Sequence, residues 1–395
     1  MDFDFLQPEI QDYIIKNTGG DVSKLALAKN PFPNTDWLQI LNQIAARAKA
    51  KDKLPSWFAT AGIIYPSKVS VEQTSSEKTA AYKSGIVSGE RLIDMSGGFG
   101  VDDFYFSKKV KQLVHCEINT ELSSIVSHNV KAFNINNIEC LNGDSTEILK
   151  QLDSHFDWIY IDPSRRNDAK GKVFMLKDCL PDVPELLGLY FSYADHILIK
   201  TAPILDISAG LSELHSVRVI HIVAVDNEVK ELLWELSKGF TGSPELKTVN
   251  LTNDKTESFG FYPDAETTVE ITEKLGKYLY EPNSAIMKSG GFEQIGIAYG
   301  LGKLHRHSHL YTSDQIISFP GRVFEIQKAI PYAKTEMKSL LQNGKFNITT
   351  RNFPETVEHI RKKWKIKDGG DQYCFFTTDA TNDKIVLICT KINLQ

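Results

Sequence analysis

The sequence lacks the features that would place this protein in a membrane or hold it together with metals or disulfides. Only five of its 395 residues are cysteine, and no two of them form a CxxC pair. Neither a zinc site nor a disulfide framework is therefore predicted. No apolar run approaches the roughly 18 residues of a membrane span. The acidic start MDFDF has neither the basic nor the apolar part of a signal peptide. We expect a cytoplasmic protein with no membrane partner.

Length and composition indicate a globular protein of more than one domain. A chain of 395 residues exceeds the usual size of a single core, and its 42% hydrophobic and 24% charged residues are ordinary. The net charge of −5 is unevenly spread, because residues 281–395 carry 16 Lys/Arg against 11 Asp/Glu and leave about −10 on the remainder. A basic C-terminal part suggests an anionic partner, although an uneven solvated surface explains the charge equally well.

The first two thirds of the sequence predict a helical region followed by an α/β region. Residues 1–85 have mostly helical apolar spacing, which is clearest at 37–50. From residue 91 to about 225 apolar strands alternate with helices, which predicts a parallel sheet covered on both faces. The predicted strands are 91–95, 112–116, 138–142, 157–161, 196–200 and 217–225, and the predicted helices are 102–110, 119–133, 145–152, 182–194 and 205–214.

The pattern changes around 278–283, and a separate α+β module is predicted after it. Before the change, 230–236 fits a helix, and strands at 247–252 and 258–262 are expected to close the sheet. After it we predict helices at 285–300, 332–343 and 355–364 and strands at 321–329, 345–350, 372–378 and 384–391. The predicted domains are therefore 1–85, 86–275 and 276–395.

The strand that ends in Asp94 runs into the glycine-rich turn MSGGFG. The helix after the turn opens with Asp102 and Asp103, although a helix start normally favours an anionic ligand. Two carboxylates there would repel a pyrophosphate. The dinucleotide fingerprint also needs a third glycine, and counting from Gly98 and Gly100 that position is Asp103. The turn therefore favours a nucleoside without phosphates, for which S-adenosylmethionine is the obvious candidate.

Two more acids end the next strands and fit the same nucleoside. Glu117 lies 23 residues after Asp94 and could accept hydrogen bonds from both ribose hydroxyls. Asp144 could accept the adenine amine, cap the helix that begins beside it, or do both. Surface acids at strand ends are the alternative. The predicted cofactor-binding residues are Asp94, Gly98, Gly100, Glu117 and Asp144.

The fourth strand ends in IDPSRR, which contains the candidate catalytic residues Asp162, Pro163 and Arg165. Many amine-directed methyltransferases read Asp/Asn-Pro-Pro-aromatic at this point. The acid and a backbone carbonyl hold the amine, and positioning of this kind can offset roughly 7–11 kcal/mol of the barrier. Here Ser164 replaces the second proline and Arg165 replaces the aromatic residue. The guanidinium of Arg165, and not an aromatic ring, would therefore stack on a base. A plain turn is the alternative.

Other patterns of chemical interest are less specific. No Pro-Cys or Thr-Cys dipeptide follows the fourth or fifth strand, which argues against carbon methylation through a cysteine adduct. Lys200 ends the fifth strand and either lines the pocket or extends to solvent. The histidines His305, His307 and His309 alternate as on an exposed strand, and because carboxylate partners are not evident no metal is predicted.

The run RKKWKIK at 361–367 places basic residues around Trp364. Basic residues with an interleaved aromatic suit an RNA backbone and base stacking. A solvated helix end with one core tryptophan is an equally good interpretation of the same run.

Taken together, these segments resemble the bacterial class I S-adenosylmethionine-dependent methyltransferases that carry a C-terminal THUMP-like domain. The resemblance spans nearly the whole chain and rests on AKDKLPSW (50–57), IIYP (63–66), EQTSSEKTAAYK (72–83), DMSGGFGVD (94–102), NGDS (142–145), IDPSRR (161–166), VAVDNEVKELL (223–233) and YLYEPNSAIMKSG (278–290). It implies a helical N-terminal region, a Rossmann-like core and an α+β THUMP-like module. It also adds Gln73, Ser76 and Glu77 as secondary candidates in a loop that covers the methyl donor.

The resemblance implies methylation of a base nitrogen of tRNA or rRNA, because THUMP domains in general deliver RNA to modifying enzymes. One alternative is a methyltransferase for a small molecule or protein, with the module as a lid or dimer surface. Another is a non-catalytic protein that binds S-adenosylmethionine or RNA, which the intact Asp162-Pro163 loop disfavours. No DNA partner is indicated, and the sequence predicts no oligomeric state.

Overall fold

The computed structural model describes residues 3–165, 175–265 and 268–393. The helices are α1 (Pro8–Asn17), α2 (Val22–Ala26), α3 (Trp37–Lys53), α4 (Pro55–Ala59), α5 (Lys68–Gln73), α6 (Glu77–Ser84), α7 (Val101–Phe106), α8 (Thr120–Ala132), α9 (Ser145–Leu152), α10 (Val183–Tyr193), α11 (Ile207–Glu213), α12 (Ser284–Ser289), α13 (Phe292–Ala298), α14 (Lys334–Leu340) and α15 (Val357–Trp364). The strands are β1 (Gly89–Asp94), β2 (Val110–Glu117), β3 (Ile138–Asn142), β4 (Phe156–Ile161), β5 (Ser164–Arg165), β6 (Cys179–Leu180), β7 (Ala194–Thr201), β8 (Val217–Val225), β9 (Glu228–Ser237), β10 (Glu245–Leu251), β11 (Thr256–Phe261), β12 (Tyr278–Pro282), β13 (Gly302–Lys303), β14 (Tyr311–Ser313), β15 (Gly321–Pro331), β16 (Lys345–Thr350), β17 (Lys367–Thr378) and β18 (Lys384–Ile392).

The chain folds as two compact units, one of residues 1–218 and 232–242 and the other of residues 219–231 and 243–395. Among the described helices, none combines the length and apolar character needed to cross a bilayer.

The first unit contains the parallel sheet that the sequence predicts. Its strands lie in the order β7-β4-β1-β2-β3, and each neighbouring pair is parallel. β9 pairs with β7 in the antiparallel direction. The register places Asp94 beside His115 and Tyr160, and Glu117 beside Asn142. The carboxyl ends of four strands therefore meet at one edge, where parallel sheets bind their ligands.

The N-terminal helices share a hydrophobic core with this sheet's own helices. Asp36 caps α3 by accepting a hydrogen bond from the Leu38 amide at 2.9 Å, and α3 buries an apolar face. Trp57 of α4 is 2% exposed. Its ring centroid lies 4.7 Å from that of Phe104 in α7 and 4.9 Å from that of Phe133, just after α8. The helical region is thus packed directly on the α/β core.

The second unit contains two sets of strands. β8 pairs parallel with β10, and β10 pairs antiparallel with β11. The other set has the order β13-β14-β12-β15-β18-β17-β16, with β16 and β17 parallel and the other pairs antiparallel. Residues of α14 and α15 are buried together with residues of β15–β18 in one apolar cluster. This is the α+β arrangement that the sequence predicts.

Two of the elements predicted between residues 230 and 300 are wrong. Residues 230–236 belong to the strand β9, not to a helix. Six consecutive residues of β9 are buried, so its sequence lacks the polar–apolar alternation that would indicate a half-exposed strand. The single helix predicted at 285–300 is two helices. Gly290, in the left-handed region with φ of 75°, ends α12, and α13 begins after Gly291.

Candidate active site

The glycine-rich turn after β1 is fastened to the strands on both sides of it. The Met95 amide donates to the Tyr160 carbonyl of β4, and the Gly97 amide donates to the Cys116 carbonyl of β2, each at 2.9 Å. These bonds fix the turn that the sequence places between Asp94 and α7 at the carboxyl edge of the sheet.

A side chain is disfavoured at three positions of the turn, for a different structural reason at each. A Cβ on Gly97 would stand 2.2 Å from the buried His115 ring, so no side chain fits there. Gly98 and Gly100 have positive φ angles of 54° and 72°, which side chains disfavour. A Cβ on Gly100 would also come within 2.9 Å of Val126, whereas the first atom a Cβ on Gly98 would meet is 3.6 Å away. Gly98 therefore leaves open space that a ligand could occupy.

Asp94, Asp103 and His115 form a buried group beneath the turn. The Ser96 amide and hydroxyl donate to Asp94 Oδ1 at 2.7 and 3.0 Å, and His115 Nδ1 lies 2.6 Å from Asp103 Oδ2. Burial, reinforced by Asp103, raises the pKa of Asp94 well above its ordinary value. Burial also raises the pKa of Asp103 to about 8 and lowers the pKa of His115. Burial thus disfavours the charged form of each of the three groups.

Asp102 is the charged carboxylate at the start of α7. It accepts hydrogen bonds from Tyr160 Oη at 2.7 Å and Ser75 Oγ at 2.9 Å, and Lys83 Nζ lies 3.2 Å from its other oxygen. Burial alone would raise the pKa of Asp102, but Lys83, Lys200 and the two hydroxyls outweigh it and hold that pKa below its ordinary value. Asp102 and Asp103 are both buried and paired within the protein, and the expected repulsion of a ligand phosphate stays a prediction.

Glu117 stands at the rim of the sheet beside the turn. Its Oε2 accepts a hydrogen bond from the Gly98 amide at 3.0 Å, and its Oε1 accepts one from the Asn119 amide at 2.7 Å. Each carboxylate oxygen retains a second lone pair that can accept from a ligand hydroxyl. Ile118, the next residue, is 72% exposed. Sequence reasoning missed Ile118, although an apolar residue directly after a strand-end acid is a readable signal.

Asp144 caps α9 and is exposed. Its Oδ1 accepts hydrogen bonds from the Thr146 and Glu147 amides at 2.9 and 3.1 Å, while Oδ2 accepts none from the residues described in the structure. The Gly143 amide donates to the Glu117 carbonyl at 3.1 Å, which brings the two predicted cofactor acids to neighbouring loops. The capping alternative is confirmed, and Oδ2 leaves room for the second role.

Asp162 is connected to the glycine turn and to β7. Its amide donates to Ser96 Oγ at 2.6 Å, and Ser96 in turn contacts Asp94. The Asp162 carboxylate forms an ion pair with Lys200, whose side chain is 15% exposed against 39% for Asp162. Lys200 therefore faces the loop that begins at Asp162 instead of extending to solvent. Sequence reasoning missed Ser96 as the bridge.

The structure describes part of the loop that follows Asp162. Pro163 is half-buried directly after Asp162. Ser164 and Arg165 form β5, which pairs antiparallel with β6. The side chain of Arg165 and the whole of Arg166 lie outside the described residues.

Comparisons with known proteins agree with this geometry. Residues 278–320 match a ferredoxin-like domain family and residues 321–391 match the THUMP domain-like family. The crystal structure of a candidate methyltransferase from Porphyromonas gingivalis W83 is 30% identical over 100% of both chains, with a TM-score of 0.89. An uncharacterized S-adenosylmethionine-dependent methyltransferase of Mycobacterium tuberculosis is 21% identical over 302 residues, which are 75% of this chain and 80% of that protein. The chain belongs to the S-adenosylmethionine-dependent methyltransferases with a C-terminal THUMP-like domain.

Two secondary candidates of this methyltransferase have local structural roles. Ser76 caps α6. Glu77 is buried and accepts hydrogen bonds from the Ser56 amide at 2.6 Å and from Tyr105 Oη at 2.7 Å. Gln73, the third candidate, is exposed at the end of α5. Glu77 thus ties α4 and α7 to α6.

The histidines of the THUMP-like region lie in a turn, so the expected strand at 305–309 is wrong. His305 Nδ1 contacts Asn352 Nδ2 at 2.9 Å, and its Nε2 contacts Asn382 Oδ1 at 3.1 Å. His309 stacks on Phe292 with ring centroids 3.6 Å apart. Among the residues with described coordinates, no group of three or more His, Cys, Asp or Glu is placed to hold a metal.

Some residues of the basic run 361–367 stabilise the fold, and the others are exposed. Trp364 is 7% exposed in the core of the THUMP-like region, and its Nε1 donates to Tyr332 Oη at 3.1 Å. The interpretation of Trp364 as a stacking platform is therefore wrong. Arg361 and Lys363 each pair with an acid. The exposed lysines of the run without a described acidic partner are Lys362, Lys365 and Lys367.

Proposed function

We propose that this enzyme methylates a base nitrogen of RNA, either tRNA or rRNA, by direct in-line transfer. The observation that carries the proposal is the chain of hydrogen bonds through the glycine turn, which joins Glu117 to Gly98 and Asp94 to Asp162 through Ser96. A nucleoside-binding acid and an acceptor-side acid are thereby held in one rigid framework. Rigid positioning of two reactants is the main requirement of a direct displacement.

The cofactor side consists of Asp94, Gly98, Gly100, Glu117 and Asp144. S-adenosylmethionine supplies an electrophilic methyl group on a sulfonium. The residues fit its nucleoside part. The two oxygens of Glu117 can accept hydrogen bonds from two ribose hydroxyls, and Asp144 Oδ2 can accept one from the adenine amine. Exposed Ile118 offers an apolar surface to a purine face. Asp94 is 2% exposed and acts by holding Ser96 and the turn.

The acceptor side consists of Asp162, Pro163 and Arg165, with the backbone after β4 as their support. Asp162 holds and orients the attacking nitrogen, Pro163 restricts the loop, and Arg165 contacts the base or a phosphate. The half-exposed carboxylate of Asp162 is accessible to an acceptor from solvent.

RNA is proposed because the domain over 276–395 is basic while the rest of the chain is acidic. Its match to the THUMP domain-like family supports the same partner. Exposed lysines such as Lys362 and Lys365 on this domain suit phosphate contacts, which give RNA binding its affinity.

The test is transfer of label from tritiated S-adenosylmethionine into RNA extracted from a strain that lacks the gene. Wild-type protein should label this RNA, and Asp162→Ala should bind the cofactor with unchanged affinity by calorimetry while turnover falls at least about 100-fold. Loss of cofactor binding together with turnover would make Asp162 a structural residue. A protein that binds the cofactor but labels no RNA would replace the proposal with a small-molecule or protein acceptor.

A further inference from the structure

The acceptor-side carboxylate of this methyltransferase is half of an ion pair. Lys200 at the end of β7 contacts the Asp162 carboxylate, and the lysine is mostly buried. Lys200 also lies close enough to Asp102 to help lower the pKa of that buried carboxylate. An ammonium group is therefore built into the acceptor site beside a carboxylate, and the loop after β4, the strand β7 and the start of α7 position it.

This charge is unfavourable for an exocyclic amine acceptor. A neutral amine that attacks a methyl group becomes positively charged before it loses a proton. A lone carboxylate would stabilise that charge, but the Asp162–Lys200 pair is neutral overall, and its ammonium repels a developing cation. The pair removes most of the advantage that an Asp-Pro loop gives to amine methylation.

The same pair suits a ring N–H that lies beside a carbonyl. As such a nitrogen loses its proton, negative charge develops on the neighbouring carbonyl oxygen. A carboxylate acceptor next to an ammonium donor matches that edge, with Asp162 on the N–H and Lys200 on the oxygen.

We propose that the acceptor is a lactam N–H of an RNA base, as in N1 of guanine or N3 of uracil, and that Lys200 is the residue that selects it. The inference rests on the proposed function and names the base class within it. In the step, the ring-nitrogen electrons form the new N–C bond while the C–S bond breaks and its electron pair goes to sulfur. The N–H proton goes to Asp162, and Lys200 stays protonated beside the carbonyl oxygen. The acceptor begins and ends neutral.

The experiment identifies the labelled nucleoside. RNA from a strain that lacks the gene is incubated with the full-length protein and tritiated S-adenosylmethionine, digested, and analysed by chromatography with mass spectrometry. Label in a ring-nitrogen methyl of a guanosine or uridine derivative is the expected result. Label on the amine of adenosine or cytidine, or on adenine N1, overturns this inference and leaves the RNA proposal standing. Absence of label in RNA overturns both.

Substitutions at Lys200 give a second test, because removal of the ammonium should lower kcat/KM for a lactam N–H acceptor but not for an amine acceptor. Lys200→Met should lower kcat/KM for the same RNA by about 100- to 1000-fold, while Lys200→Arg, which keeps the charge, should stay within about tenfold of the wild type. The Kd for S-adenosylmethionine by calorimetry should not change in either variant, which separates the effect from misfolding. Lys111→Met, at an exposed lysine on β2, is the matched control. An unchanged or raised kcat/KM in Lys200→Met contradicts the proposal.

Discussion

At the scale of single residues, the site depends on acids whose surroundings differ sharply. Lys83 beside Asp102 helps to hold the pKa of that carboxyl below its ordinary value, whereas burial raises the pKa of Asp94 and of Asp103. Glu117 is different again, because it is only half-buried and two backbone amides fix its orientation. Acids that are adjacent in sequence or in the sheet therefore have different surroundings, and of these four Glu117 is the one that is not fully buried.

Replacement of Glu117 should remove cofactor binding without unfolding the protein. Under the proposed cofactor contacts, Glu117→Ala loses two charge-assisted hydrogen bonds to the ribose, each worth about 1.5–3 kcal/mol, so the Kd for S-adenosylmethionine should rise at least about 100-fold. Calorimetric titration measures it. Glu139→Ala, at an exposed glutamate on β3, is the control and should bind as the wild type does. Wild-type affinity in Glu117→Ala would show that the ribose is held elsewhere.

The raised pKa of Asp103 predicts a pH-dependent stability. The carboxyl ionises near its ordinary pKa when unfolded but only at about 8 when folded. The folded state thus binds more protons between these values, and the contribution of Asp103 falls as pH rises from about 4 to about 8. Asp103→Asn cannot ionise, so the stability of the wild type relative to this variant should decline over that range. Urea denaturation at several pH values measures the difference. A difference that is constant or grows with pH contradicts the assigned pKa.

At the scale of elements, local sequence pattern predicts the strands of the site well. The six strands predicted between residues 91 and 225 are all present, each within two residues of its predicted ends. Their apolar runs and intervening polar helices are local signals, and the strand-end acids follow from them. The position of the candidate cofactor edge could therefore be predicted without the structure.

Contacts between distant residues could not be predicted in this way. Lys83 pairs with Asp102, and His115 with Asp103, because tertiary packing brings α6 and β2 to α7. No local spacing indicates such a pairing. The same limit explains Trp364, whose helix buries it against Tyr332 although its sequence neighbours are basic.

The turn after β1 provides a prediction at this scale. Gly97→Ala forces a methyl group against the His115 ring, and overpacking of this kind costs about 1–3 kcal/mol of folding free energy. Gly188→Ala is the matched control: it lies on the exposed face of α10, where no atom of the described residues comes within 4 Å of an added Cβ, so it should stabilise the protein by about 0.5–1 kcal/mol. Chemical denaturation measures both. Equal effects of the two substitutions would mean that His115 does not occupy the space beside the turn.

At the scale of the whole molecule, charge is divided along the chain. Residues 281–395 carry a net charge of +5, and the remainder about −10. An acidic catalytic region disfavours non-specific contact with nucleic acid, so under the proposed function the basic region supplies most of the electrostatic affinity for RNA. Pairing within the protein consumes part of that charge, as Arg361 and Lys363 show.

This division predicts which lysines determine the salt dependence of RNA binding by the full-length protein. Changing Lys362, Lys365 and Lys367 together to alanine should weaken binding and make the slope of log K against log[salt] shallower by about 0.7–0.9 for each phosphate that is no longer neutralised. Mobility shifts over a salt series measure the slope, and cofactor affinity should not change. The control is a triple alanine variant at exposed lysines of the N-terminal region, Lys16, Lys29 and Lys51. If both triple variants alter the slope equally, binding is a diffuse surface effect, and if only the control does so, the RNA approaches from the helical region instead.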